Sequence, residues 1–188
     1  MAKRRAMTQR VDLDDIAAQI HESYRTAQGS YPSFAELPEF LKEDNREAAR
    51  RIGQVLALAG LRLVNRDTQG WPKKAQEEIA QVIEQNLDLL AEGEHDLWVA
   101  SRLRHGWRVG DYKDADRRQH HLLVPYAQFA EQVKRNHRYQ HRANPVPDLT
   151  EPEVEEKVEA EKKKDRDAVK SYVAIIAQTS YRIVRERG

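Results

Sequence analysis

The chain has 188 residues, of which 39% are hydrophobic and 34% charged, a balance that suits one helical domain or two small units packed together. Its formal net charge of +1 predicts no general attraction to nucleic acid or acidic membranes. The absence of cysteine excludes disulfides, thiol catalysis and thiolate metal sites, and it fits a reducing compartment.

The first ten residues are basic but are not followed by an apolar run. We therefore expect a basic flexible tail at 1–10 rather than a signal peptide or an anchor. No stretch approaches the roughly 18 apolar residues of a membrane span. These features predict a cytoplasmic protein that makes no contact with membranes.

A first helix is predicted from Val11 to Ala27, where apolar residues recur at helical spacing, and Gly29 is expected to end it. Ser33 and Glu36 then have the spacing of a capping box, which favours a short helical segment.

A second helix is predicted from Glu39 to Ala59, with Gly60 as its C-cap. Leu61–Val64 alternates like a short strand, and residues 65–70 form a turn.

One long helix is predicted from Pro72 to Leu103, with Gly93 as a bend. The segment Gly106–Leu123 has two glycines in its first five residues, mixed charges and no helical period, which indicates an ordered hairpin or loop.

Pro125 opens a further helix that reaches about Tyr139, and residues 144–147 break it. Thr150 and Glu153 form another capping box at the start of a charged segment, interpreted as a solvated helix or linker. A second short strand is predicted at Tyr181–Val184.

The chain also contains an internal repeat. Residues 45–64 align with residues 165–184 at a constant offset of 120, and each copy is a helix that leads into a strand. A second alignment, at an offset of 74, pairs His21 and Tyr24 with His95 and Trp98. The predicted domain therefore spans 11–188, with copy one at 11–64 and copy two at 72–188, including an insertion at about 141–164.

Two such copies are expected to pack about a pseudo-two-fold axis, because each alone is too small to bury its apolar face. An axis of this kind would create one cleft, and the two His-x-x-aromatic motifs are candidates to face each other across it. Chance alignment of helical segments is the simpler alternative.

Copy two also carries a specific combination of spaced residues. Ala91-Glu92 is followed by His95, Trp98, Arg102, Gly106-Trp107, Gly110, His121 and Leu123-Val124-Pro125-Tyr126. This pattern resembles the RyR domain, the repeat found in tandem in ryanodine receptors and singly in bacterial and phage proteins. The family pattern continues with an Asn/Asp-Arg pair, which appears twice after Tyr126, as His137-Arg138 and as Asp165-Arg166. The family also has His-Pro where this chain has His121-Leu122. Its bacterial and phage members imply a bacterial or phage-infected host cell.

The resemblance implies a mainly α fold of two pseudo-symmetric helix-helix-short strand units with a small β-hairpin. It also implies ligand binding, since tandem RyR repeats are associated with adenine nucleotides and the microbial ones have been suggested as sensors of nucleotide-derived signals. We therefore expect a non-enzymatic module that binds a nucleotide-like small molecule in the cleft between the copies, acting as a sensor or by sequestering its ligand.

A purine needs flat apolar faces and its phosphates need guanidinium donors. The candidate ligand-binding residues supply these groups, and they are His21, Tyr24, His95, Trp98, Arg102, Trp107, Tyr112 and Tyr126. The alternative role of Trp98 and Trp107 is packing in the core. The alternative role of His21 and His95 is a hydrogen bond to nearby backbone.

Catalysis is not expected, because the chain has no nucleophile elbow, Walker loop or Rossmann glycine pattern. His137 and His141 have metal-ligand spacing but no evident third ligand, so neither a metal nor another cofactor is predicted. The rival function is an adaptor that binds protein or nucleic acid through the basic loop 101–118, although the net charge disfavours nucleic acid. A homo-oligomer is compatible with the sequence.

Overall fold

The computed structural model describes residues 11–28, 32–68 and 76–186. The predicted tail at 1–10, Gly29 and Pro72 lie outside these ranges. The described residues confirm a mainly helical fold with a small antiparallel sheet. They fall into two compact units: unit one is drawn from residues 1–82 and 171–188, and unit two from residues 83–170.

The elements follow the predicted order with one division. The helices are α1 Leu13–Gln28, α2 Glu39–Leu58, α3 Gln76–Gln85, α4 Leu87–Arg104, α5 Phe129–Gln140 and α6 Glu151–Ala177. The strands are β1 Leu61–Asn65, β2 Arg108–Val109, β3 Gln119–His120 and β4 Tyr181–Arg185. None of the described helices combines the length and the apolar character needed to span a bilayer.

In unit one the core lies between α1 and α2, which pack against each other. Ile16 and Ala17 on α1 and Val55 and Leu56 on α2 are inaccessible to solvent. The predicted capping box between the helices is confirmed, since the Glu36 carboxylate accepts hydrogen bonds from the Ser33 N–H (2.8 Å) and hydroxyl (2.6 Å).

Gly60 ends α2 in the left-handed conformation, with φ of +65°, as the C-cap prediction required. β1 follows at once and pairs antiparallel with β4, with Leu63 directly opposite Ile183. Since these two residues are equivalent at the offset of 120, the strand pair has a local two-fold through them. The hydrogen bonds from Arg66 N–H to the Ser180 carbonyl (2.9 Å) and from Glu186 N–H to the Gly60 carbonyl (2.7 Å) repeat about this axis.

Two equivalent arginines, Arg46 and Arg166, form ion pairs that agree with both alignments, at offsets of 120 and 74. In unit one Arg46 of α2 forms ion pairs with Asp14 of α1 and with Glu39. In unit two Arg166 of α6 forms ion pairs with Asp88 of α4 and with Glu159. Aspartates 14 and 88 differ by 74, and glutamates 39 and 159 differ by 120. These are contacts that two copies of one unit would share, and the duplication itself stays a prediction.

The predicted helix from Pro72 to Leu103 is wrong as one element. It divides at Asn86 into α3 and α4, whereas Gly93 lies inside α4. Asn86 has φ −117° and ψ 17°; its N–H bonds the Ile83 carbonyl (3.1 Å) and its carbonyl accepts the Leu90 N–H (3.0 Å). Apolar residues keep their helical spacing across this break, so the sequence period did not reveal it.

The segment Gly106–Leu123 is ordered, but its two strands are parallel and do not form the expected antiparallel hairpin. The reversal occurs at Asp114 and Gln119, which exchange two backbone hydrogen bonds of 2.9 Å. Arg118, with φ of +49°, then directs the chain back beside β2. These local bonds use the groups that a hairpin ladder would have used.

The second half of unit two agrees with the predicted boundaries. Pro125 precedes a short 3-10 turn at Tyr126–Gln128 that leads into α5. The Thr150 capping box is present, since the Glu153 carboxylate accepts bonds of 2.7 Å from the Thr150 N–H and hydroxyl. The stretch 141–164, predicted as an insertion, consists of a loop and the first half of α6.

Alanine substitutions at two glycines, one inside α2 and one just after it, should have opposite effects on stability. Gly53 lies inside α2 and Gly60 follows it, and a Cβ at either meets nothing within 4 Å. Gly53→Ala should therefore stabilise the fold by roughly 0.5–1 kcal/mol through helix propensity. Gly60→Ala should destabilise it by roughly 1–2 kcal/mol, because only its positive φ opposes a side chain. Urea denaturation of both variants measures this, and equal signs would contradict it.

Candidate ligand-binding site

His95 is the most enclosed polar side chain of the candidate set. It lies on α4 with 3% of its surface exposed, and its ring contacts those of Trp98, Tyr126 and Phe129. Its Nε2 donates to the Val124 carbonyl at 2.8 Å. The alternative role, a hydrogen bond to nearby backbone, is therefore confirmed for His95.

The other ring nitrogen of His95 faces α6. Nδ1 lies 3.3 Å from a carboxylate oxygen of Asp165, and the Tyr126 hydroxyl donates to the same oxygen at 2.8 Å. Burial and this carboxylate both raise the pKa of Tyr126 well above its usual range. The three side chains thus form one polar network, in which His95 is buried and Tyr126 and Asp165 are half-buried.

Both nitrogens of His95 face hydrogen-bond acceptors, a geometry that only the doubly protonated ring satisfies with two donors. Burial alone lowers the pKa of His95, but the hydrogen bonds to Asp165 and to the Val124 carbonyl outweigh it, and the net pKa is raised. In its protonated form His95 donates to both acceptors and so links α4, the segment at Val124 and α6.

Trp98 lies one turn beyond His95 and is half-buried. Its ring packs at 5.6 Å from that of His95 and edge-on to His120 at 5.3 Å. These contacts are those of a packed residue, while Trp98 as a whole remains partly exposed. Its role in ligand binding stays a prediction.

His120 and His121 stack with ring centroids 4.9 Å apart and planes within 5°. His120 Nδ1 accepts the Leu122 N–H at 3.0 Å, which places the proton of its neutral form on Nε2. Burial, together with the charges of neighbouring cations, lowers its pKa to about 4. His120 is consequently a neutral donor beside Trp98 at physiological pH.

Arg102 follows Trp98 by one helical turn, and its guanidinium lies 4.9 Å from the centre of the Trp107 ring. Gly106 adopts φ of +78° between them, and the Trp107 N–H bonds the Arg102 carbonyl at 3.0 Å. All three of these side chains, from Trp98, Arg102 and Trp107, are half-buried. We call them, together with His120, the tryptophan face.

Tyr112 belongs to a different cluster. It stacks on Tyr139 of α5 at 4.1 Å with planes 11° apart, and its hydroxyl accepts a hydrogen bond from Arg117 at 3.1 Å. The structure therefore divides the candidate residues of copy two between the His95 network, the tryptophan face and the Tyr112 stack.

Copy one repeats part of this arrangement within unit one. His21 Nε2 donates to the Pro32 carbonyl at 2.8 Å, as His95 does to Val124, which confirms a backbone partner here too. Asn45 stands at the position equivalent to Asp165 and donates to the Leu41 carbonyl. Tyr24 has 64% of its surface exposed, so its side chain is available for contact. That it faces Trp98 across a cleft stays a prediction.

Three residues of these clusters were absent from the predicted set, namely Asp165, His120 and Tyr139. Asp165 belongs to the Asn/Asp-Arg pair of the family pattern and aligns with Asn45 in the repeat, so a signal was present. No pattern indicated His120 or Tyr139, because their partners lie more than 20 residues away.

Residues 74–144 match the family model of the RyR domain. This segment of the chain is a RyR domain. The match contains His95, the tryptophan face, Tyr112 and Tyr126, but it ends before Asp165. The His95 network is thus completed by a segment outside the matched residues.

The charge on His95 predicts a pH-dependent contribution to stability. Because its folded pKa is raised, the contribution is complete below the unfolded pKa of about 6.5 and is lost as pH rises through the folded pKa. Asp165→Asn should cost about 1.5–3 kcal/mol at pH 6 and less at pH 9. Urea denaturation at both values measures the difference.

Asp167→Asn is the matched control, since this exposed carboxylate on the same helix pairs only with Lys163 among the ion pairs described. It should have a small effect at both pH values. Tyr126→Phe removes only the hydroxyl bond, so its cost in stability should be the same at pH 6 and at pH 9. A cost of Asp165→Asn that is equal at both values would contradict a charged His95.

Proposed function

We propose that the protein is a non-enzymatic module that binds a nucleotide or a nucleotide-derived molecule at the tryptophan face. The observation that carries this proposal is the guanidinium of Arg102 over the Trp107 ring, one helical turn from the accessible part of Trp98. These residues combine aromatic surface with a fixed positive charge.

The chemistry of a nucleotide matches this combination. A base stacks on aromatic rings with about 1–3 kcal/mol per base, and a guanidinium pairs with phosphate oxygens in a fork geometry. The neutral His120 adds a hydrogen-bond donor next to Trp98. The RyR resemblance, which implies adenine-nucleotide recognition, supports the same class of ligand.

A binding role is also favoured over catalysis by the state of His95. Both of its nitrogens are engaged and its ring is buried, so it has no free position from which to exchange a proton with a substrate. Among the residues that the structure describes, no three His, Asp or Glu side chains converge as a metal site. A sensor or a sequestering protein needs neither a proton-exchanging histidine nor a metal site.

A thermal-shift screen with mono-, di- and cyclic nucleotides and ADP-ribose derivatives tests the proposal. A ligand at 100 times its dissociation constant adds about 2.7 kcal/mol, which corresponds to roughly 5–11 °C for a chain of this length. Trp98→Ala and Arg102→Gln should each lower the affinity at least about tenfold, the effect of about 1.4 kcal/mol. The two variants remove the stacking surface and the phosphate donor, respectively.

Phe40→Ala is the matched control, because this aromatic side chain of unit one is 70% exposed and outside the tryptophan face. It should leave the shift unchanged. A circular dichroism spectrum of each variant separates lost binding from lost fold. If no nucleotide shifts the melting temperature, the proposal fails; if Phe40→Ala and Trp98→Ala weaken binding equally, the site lies elsewhere.

A further inference from the structure

Charge is distributed unevenly along the chain despite the net value of +1. Residues 102–142 contain ten Lys or Arg and four Asp or Glu, a net charge of +6, so the remaining residues carry −5. This segment also holds five of the seven histidines. The overall charge therefore says little about the local field of unit two, to which the segment belongs.

The fold brings the two basic parts of this segment together. Asn136 of α5 donates to the Asp111 carbonyl at 2.7 Å, and Arg135 forms an ion pair with the Asp111 carboxylate at 2.6 Å. The Tyr112–Tyr139 stack joins the same two elements. The loop that follows β2 and the C-terminal half of α5 consequently form one surface.

This surface is rich in exposed cations. We call it the arginine surface and define it by Lys113, Arg117, Arg118, Arg135, Arg138 and Arg142, all exposed. Three of them form ion pairs with Asp111, Asp114 and Asp148. Arg118 and Arg142 contact a carbonyl oxygen and the Tyr139 ring, neither of which neutralises a charge. An excess of positive charge therefore remains.

The chemistry of these cations favours phosphate over carboxylate-rich protein. Eight of the ten cations in 102–142 are arginine, whose fork pairs with phosphate and whose plane stacks on bases. The six cations lie on two elements, the loop after β2 and the region from Arg135 to Arg142 at the end of α5. Cations spread over two elements suit the several phosphates of a polymer better than those of a single nucleotide.

The stack of Arg142, Tyr139 and Tyr112 offers an aromatic surface on which a nucleic-acid base could stack. Arg142 lies 3.9 Å from the Tyr139 ring centre, and Tyr112 stacks on Tyr139 at 4.1 Å. Both tyrosines are only half-buried. A base on the outer face of Tyr112 would continue this stack, and only an unpaired base can do so.

We propose that the arginine surface binds single-stranded nucleic acid, with phosphates on the guanidinium groups of α5 and the loop and one base stacked on Tyr112. The site lies outside the tryptophan face and does not depend on nucleotide binding there.

Fluorescence anisotropy of labelled 12-mers of oligo(U) and oligo(dT), measured with the full chain at 50–200 mM salt, tests the proposal. Arg138→Gln combined with Arg142→Gln should reduce the slope of log affinity against log salt by about 1.4, two phosphate contacts at about 0.7 each. Tyr112→Ala should weaken binding roughly 5- to 150-fold, whereas Tyr112→Phe should retain it because the ring remains.

Arg50→Gln combined with Arg185→Gln is the matched control, since it removes two exposed arginines from unit one. It should leave the affinity and the slope nearly unchanged. An equal loss in this control would show attraction to the total charge and overturn the site. No binding at 50 mM salt would also overturn it.

Tight binding of polyglutamate that is insensitive to Tyr112→Ala would identify a surface for acidic protein instead, and would overturn the proposal. Thermal shifts with mononucleotides should persist in the Arg138/Arg142 double variant. The two sites can therefore fail independently of each other.

Discussion

The imidazole of His95 joins three segments that are distant in sequence: its own helix, the backbone at Val124 and the carboxylate of Asp165 on α6. A buried charged ring is costly unless both of its donors find acceptors. That requirement fixes the positions of Val124 and Tyr126 relative to α4. Since Trp98 packs on the same ring, the geometry of the tryptophan face depends on this constraint as well.

Both copies contain a histidine that bonds a backbone carbonyl, but the other partners of the two histidines differ. His21 has the same backbone bond, but Asn45 stands in place of the Asp165 carboxylate. Phe34, whose ring centre lies 6.4 Å from that of His21, stands in place of the Tyr126 phenol. Copy two therefore adds the network of Asp165 and Tyr126, together with β2, β3 and the tryptophan face. The strand pairing and the Arg46 and Arg166 ion pairs are thus common to both copies, whereas their polar interiors differ.

Placement of charge decides what unit two presents to solvent. Ten cations within 41 residues are diluted by acids elsewhere in the sequence, so composition predicted no affinity for polyanions. Contacts of Asp111 with Asn136 and Arg135 bring the loop and α5 onto one surface, and they turn a mixed-charge sequence into a local excess of arginine.

The sequence by itself determined the helices, their caps at Ser33, Gly60 and Thr150, the repeat and the RyR domain, because these depend on local periodicity and on spacing of residue types. It missed the break at Asn86 and the parallel pairing of β2 with β3, where backbone hydrogen bonds overrode an uninterrupted pattern. It also assigned eight site residues without showing that they form separate clusters. Only tertiary structure decided that, since Asp165, His120 and Tyr139 meet their partners through contacts between residues distant in sequence, and local periodicity does not encode such contacts.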